Sequence, residues 1–218
     1  MEIKSQGILL QAIPYLGKSR ILKVFTEDFG LISMMAKKPT PAAPFCIAEW
    51  VYRKKQSEIF ALLESSLTDN LLTLRESYAA LRAAGSIAHD LIRTQMPGKN
   101  APNLYRLLTS YFQKIPNFRN PEILAASFRL KLLLHEGLLA LQPHCARCRR
   151  EASLLDQGES VCPEHATPGS IAFSIPEWSG LHALAFSRRF SSLEELAPSP
   201  SLDNKIFSLF EGLYTLTT

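Results

Sequence analysis

Residues 7–38 read GILLQAIPYLGKSRILKVFTEDFGLISMMAKK, and the reading of this run decides the fold. Three apolar pieces of strand length are cut by turn chemistry. GILLQAI gives way to Pro14, Gly17 and Lys18, SRILKVFT to Glu27-Asp28-Phe29-Gly30, and LISMMAKK to PTPAAP. Further along, IAEWVYR and EIFALLES flank the polar turn Lys54-Lys55-Gln56-Ser57. Five short strands in about 60 residues, with no helix-length periodic segment among them, suit a small closed or partly closed barrel such as an OB-fold. An SH3-like barrel would read similarly. Phe25 and Trp50 are expected in its core.

After Ser66 the period changes. Leu71, Leu74, Tyr78, Leu81, Ile87 and Leu91 recur at helical spacing, with Asp69 or Asn70 as the expected cap. This helix stops at Pro97-Gly98, and a second over NLYRLLTSYFQKI stops at Pro116. Asn120-Pro121-Glu122 opens a third that runs through ILAASFRLKLLLHEGLLAL to Pro143. Pro176 and Pro200 introduce the last helical stretches, EWSGLHALAFSRRF with SSLEEL and DNKIFSLFEGLYTL. The expected class is α+β: an N-terminal five-stranded OB-fold barrel (1–68), an all-helical C-terminal domain (69–142 and 171–218), and a zinc-binding hairpin inserted at 143–170.

Between the helices stand Cys145-Ala-Arg-Cys148 and Cys162-Pro-Glu-His165, two knuckles of the form C-x2-C and C-x2-H. Each pair can present two ligands from one tight turn. The intervening EASLLDQGES, with Asp156 to Gly158 at its middle, has the length of a hairpin that folds one pair onto the other. Thiolates and a neutral imidazole are the donors tetrahedral Zn²⁺ prefers, so Cys145, Cys148, Cys162 and His165 are the expected ligands of a structural zinc. A catalytic zinc of the deaminase kind would need an H-x-E element. His135 and Glu136 are adjacent instead, and four protein ligands leave no position for water. His144 is expected beside the site or exposed, and Cys46 reads as a small buried hydrophobe.

Four cysteines in 218 residues are too few for a disulfide scaffold, and no run approaches the roughly 18 apolar residues of a membrane span. The start lacks a positive-then-apolar leader, so the expected place is the cytoplasm, with the nucleoid. The net charge of +4 is unevenly spread: residues 1–60 carry nine Lys/Arg against five Asp/Glu, and 166–218 three against five. A basic front favours a polyanion partner. On an OB barrel the cations at the expected DNA-contacting places are Lys18, Arg20, Lys23, Lys37, Lys38, Arg53, Lys54 and Lys55. Arg20 and Lys23 are an odd number apart, so a regular strand points them to opposite faces. Tyr15, Phe29, Trp50 and Tyr52 are the candidate base-stacking aromatics. No phosphate-cradling glycine loop, Walker motif or nucleophile with its base occurs, so no enzyme is expected.

The order of these parts resembles the RecO family of bacterial recombination mediators. GILLQAIPYLGKSRILKVFTEDFGLISMMAKK is similar to the family's opening pattern of G-I-V-L, a polar loop, S-x-R-I-L, F-T, G-L-I and A-K. LRESYAAL and FRLKLLLHEG, followed at once by C-x2-C, look like its helical part. The resemblance spans essentially the whole chain. It implies a protein that binds single- and double-stranded DNA and anneals complementary strands without ATP. The implied partners are RecR and the C-terminal tail of single-stranded DNA-binding protein, with RecA helped indirectly onto coated strands. Arg129 and Lys131 on the third helix are candidates for holding that tail's carboxylate. Two departures stand out: His165 replaces the family's usual fourth cysteine, and Ala36-Lys37-Lys38 its usual A-K-G. The alternative reading is a zinc-ribbon RNA-binding or transcription-associated factor.

Overall fold

The computed structural model describes residues 2–38, 40, 42–54, 57–197 and 199–215. Two compact units divide the chain, Met1–Asn117 and Phe118–Thr218.

The first unit is built on five strands: β1 (Glu2–Tyr15), β2 (Ser19–Thr26), β3 (Gly30–Ala36), β4 (Ile47–Arg53) and β5 (Ile59–Asp69). They close in the order β1-β2-β3-β5-β4, with β3 and β5 parallel and the other pairs antiparallel, which is the OB arrangement. β1 is long enough to serve two partners. Residues 2–8 pair with β4 and 7–15 with β2, and the register shifts between Leu9 and Gln11 as the strand bends from one to the other. Pro14 is tolerated inside β1 because the β4 edge is already behind it. The interior is filled by side chains such as Leu22, Val24, Ile32, Met34 and Trp50, and the Trp50 indole N–H donates to the Gly7 carbonyl at 3.0 Å.

Phe25 is fully buried as expected, but alternation puts it on the face opposite Val24, where it stands in register with buried Ile8 and Leu31. The outer side of the barrel is thus covered as well, and helices belong to this unit. α1 (Tyr78–Thr94) packs against β1, and the Gly98 N–H after it donates to the Leu31 carbonyl at 2.8 Å. At Gly30 a Cβ would lie 2.0 Å from the Lys99 carbonyl oxygen, so only glycine lets this loop approach. α2 (Pro102–Lys114) supplies Phe112, whose ring meets Phe45 edge-on at 5.6 Å. The change of period near residue 68 therefore marks a change of element type, while the compact unit runs on to Asn117. The cap of α1 is Ser77, whose hydroxyl accepts from the Ala80 N–H, and not Asp69 or Asn70. Asp69 instead accepts from the N–H of Leu71, which has φ 42° and opens a separate 3-10 turn over Leu72–Arg75 ahead of Ser77.

The second unit holds α3 (Pro121–His135), α4 (Ile175–Phe186), α5 (Phe190–Glu194) and α6 (Pro200–Thr215). α3 is buried nearly all round and packs on α4 and α6. It ends at His135, short of the expected run to Pro143, because the chain turns through Gly137 at φ 72°. α4 opens with a full capping box between Ser174 and Glu177. Between α3 and α4 lies a small sheet, β7-β6-β8, of β6 (Leu154–Asp156), β7 (Glu159–Val161) and β8 (Ile171–Ala172). No described helix is long and apolar enough to cross a membrane.

Candidate metal centre and nucleic-acid face

The hairpin forms where its sequence asks for one. Gln157 at φ 48° and Gly158 at φ 86° are the two left-handed residues of a two-residue turn joining β6 and β7. A Cβ on Gly158 would lie 2.1 Å from the Leu138 carbonyl oxygen, so this turn is also seated against the chain that leaves α3. The turn brings the second knuckle onto the first. Sγ of Cys145, Cys148 and Cys162 and a ring nitrogen of His165 all lie within 4.8 Å of one another. Cys148 and Cys162 sulfurs are 3.6 Å apart, and His165 Nδ1 is 3.3 Å from Cys162 and 3.7 Å from Cys145. A tetrahedral ion with bonds of about 2.0–2.3 Å spaces its ligand atoms roughly 3.3–3.8 Å apart. The donor set and its spacing fit a metal ion.

Electrostatics around the thiols point the same way. Burial raises the Cys145 thiol, but backbone N–H groups of Cys162, Arg147 and Cys148 outweigh it and bring the pKa down to about 6. At Cys148 the Arg150 N–H works downward, yet burial and the thiols of Cys162 and Cys145 leave it raised. Several close thiols cannot all ionise without a cation between them. Arg150 pairs with Glu164, tying the two knuckles together outside the cluster, and Arg147 pairs with Asp156 at 3.4 Å, tying the first knuckle to β6. His144 is exposed and stands outside it.

At the barrel, Lys18 lies in the β1–β2 turn and Arg20 one pair past it, both exposed. Arg20 pairs with Ala36, so Lys37 and Lys38 follow at the same end. Lys23, opposite Ser33, is half-buried on the other face of β2. No ion pair involves these five cations among the described residues, and no Asp or Glu occurs in 3–26 or 29–48. Arg53 differs: it pairs with Glu2 at 2.8 Å. Lys54 is exposed at the end of β4, and Lys55 lies outside the described residues. Beside Lys37 and Lys38 a groove of about 900 Å³ opens along the short β3–β5 seam, lined by Met35, Ile59, Phe60 and Leu63, with Glu58 and Glu64 on it as well. Periodicity alone did not reveal it, because it arises where β3 stops at Ala36 while β5 continues.

Of the four candidate stacking aromatics, Trp50 and Tyr52 are fully buried, so neither can meet a base. Burial, with help from Asp28, pushes the Tyr52 hydroxyl up to about 12. Phe29 packs against the barrel interior, and Tyr15 stays 45% exposed. Arg129 is buried, its guanidinium 5.3 Å over the rings of both Phe207 and Phe210. Lys131 donates to the Ser187 carbonyl at 2.6 Å, and burial pulls its pKa down.

A closed OB barrel with flanking helices and a Cys3His hairpin defines the class: an OB-barrel protein with a separate module whose Cys3His cluster could hold a metal ion. The family model described as Recombination protein O N terminal matches residues 1–71, and that described as Recombination protein O C terminal matches 75–209. The chain belongs to the recombination protein O family. It is similar to the DNA repair protein RecO of Chlamydia pneumoniae, 29% identical over 98% of this chain and 89% of the relative. The protein of that name from Chlamydia trachomatis serovar L2 is 28% identical over 100% and 95%. One from Caldicellulosiruptor bescii is 24% identical over 94% and 88%.

Proposed function

We propose that this protein acts in DNA recombination and repair by binding single- and double-stranded DNA on its barrel and annealing complementary strands, with no chemistry of its own. The observation that carries this reading is the row Lys18, Arg20, Lys37 and Lys38 at one end of an OB barrel, without an ion pair among the described residues. Such a row attracts phosphates, releases counterions and screens the repulsion between two strands that must meet. Family membership supports the same role and, with it, work alongside RecR and the tail of single-stranded DNA-binding protein to help RecA onto coated strands. Arg129 remains the candidate for the tail's carboxylate, since half-exposed Phe207 supplies apolar surface beside it, with Lys131 two residues on. The Cys3His cluster holds zinc as a staple: three thiolates and an imidazole fill a tetrahedral sphere and leave nothing for substrate.

Annealing of complementary oligonucleotides without nucleotide tests the reading. Lys37→Glu with Lys38→Glu should slow annealing and flatten the slope of log K against log salt by roughly 0.7 per lost contact on single strands. Unchanged affinity and slope would take this end of the barrel out of the DNA site.

A further inference from the structure

Tyr15 and Leu16 sit together at the tip of the β1–β2 hairpin, 45% and 77% exposed. The Ser19 N–H donates to the Leu16 carbonyl at 3.3 Å and closes the turn, with Gly17 at φ 66° inside it. A leucine left so exposed in a turn adds nothing to the core. The charged residues nearest it on β1, β2 and β3 are cationic: Lys18 within the turn, Arg20 just after it, and Lys37 and Lys38 brought to the same end by the Arg20–Ala36 pair. No carboxylate occurs in 3–26 or 29–48. A partner for this tip must offer negative charge and flat apolar surface within a few ångströms of each other. An unpaired nucleic-acid strand does so at every nucleotide, whereas a duplex keeps its bases stacked.

We propose that the β1–β2 turn is a base-contacting tip, in which Tyr15 stacks on one base of a single DNA strand and Leu16 wedges against its neighbour while Lys18, Arg20, Lys37 and Lys38 hold the phosphates. The assignment rests on the DNA-binding reading above and places the strand's bases on it. A ring stacks on any base, and an apolar wedge opens a base step, so the contact is blind to sequence. That suits a protein that must accept whatever strand it meets.

The test uses the full chain and a single-stranded oligonucleotide carrying one 2-aminopurine, whose fluorescence rises when it is unstacked. Wild type should bind and brighten the probe. Tyr15→Ala and Leu16→Ser should each bind about tenfold more weakly and lose most of the brightening, while the salt slope stays unchanged because no phosphate contact is lost. Thermal melts should match wild type, since neither side chain is buried. If both variants bind and brighten the probe as wild type does, the tip does not touch bases and the proposal falls while the DNA-binding reading stands. If they instead lose self-association or capture of a protein partner, with DNA binding intact, the tip is a protein contact and the proposal also falls. Wild type that binds no DNA at any salt would overturn the functional reading itself.

Discussion

The barrel and the metal hairpin are both made of short β-strands, yet they are held together by different forces. In the barrel, eleven buried residues among those described form one cluster inside a ring of five paired strands. Burial of this kind stabilises at roughly 25 cal/mol per Å² of apolar surface, so the barrel can fold on its hydrophobic core. Among the described residues, the cluster around the candidate ligands has Cys145, Val161 and Cys162 as its buried members, while Leu155 of β6 is buried separately, lining a pocket with Leu209 and Leu213. Three-residue strands with so small a core around the candidate ligands gain little on that side to offset the entropy of ordering the chain. On the proposed zinc reading, the hairpin is expected to depend on a bound ion and the barrel on its apolar core.

The largest effect that would break this contrast is metal removal. Chelation, or Cys162→Ser, should abolish hydrogen-exchange protection across residues 143–170 and leave barrel amides protected. Structural zinc contributes on the order of 10–16 kcal/mol in small finger peptides, more than this hairpin could replace. Protection that persists without metal would mean the hairpin has a core of its own. Next in size, Trp50→Ala should cost the first unit about 3–5 kcal/mol in urea unfolding, since it empties the barrel's centre and strands the Gly7 carbonyl. Metal content per chain should not change, because all four ligands lie in the other unit.

The smallest effect separates the helices of the second unit from its Cys3His hairpin. Lys205, then the Ser174 N–H and the Ser201 hydroxyl, hold the Glu177 carboxyl down at about 2. A carboxyl depressed in the folded state stabilises above its unfolded pKa of about 4.3, and that stability is lost as pH falls toward 2. Thermal melts of metal-free protein should therefore decline over this window, and Glu177→Gln should be less stable at neutral pH and decline less. An unchanged decline in the variant would assign the acid sensitivity elsewhere.

Much of this architecture could be read before any coordinates. The turn residues that bound SRILKVFT and LISMMAKK marked strands β2 and β3 to within two residues, and the C-x2-C and C-x2-H spacing named all four members of the cluster. Helix ends were harder. Asp69 looks like a cap by residue type, but a 3-10 turn over Leu72–Arg75 intervenes and Ser77 caps α1. The apolar run past His135 continues the helical pattern, yet Gly137 ends it. Likewise Trp50 and Tyr52 have the chemistry to stack on bases, and only the closure of the barrel buries them.

What the sequence determined by itself was local: strand period, turn chemistry, ligand spacing and the basic bias of the front of the chain, all set by residues a few positions apart. The tertiary structure alone decided which cations share an end of the barrel, because strand register brings Arg20 beside Ala36 across sixteen positions of chain. It alone paired Arg53 with Glu2, buried Arg129 among aromatics and left Tyr15 and Leu16 in the open. Those outcomes depend on which distant surfaces meet, and distance along the chain carries no record of that.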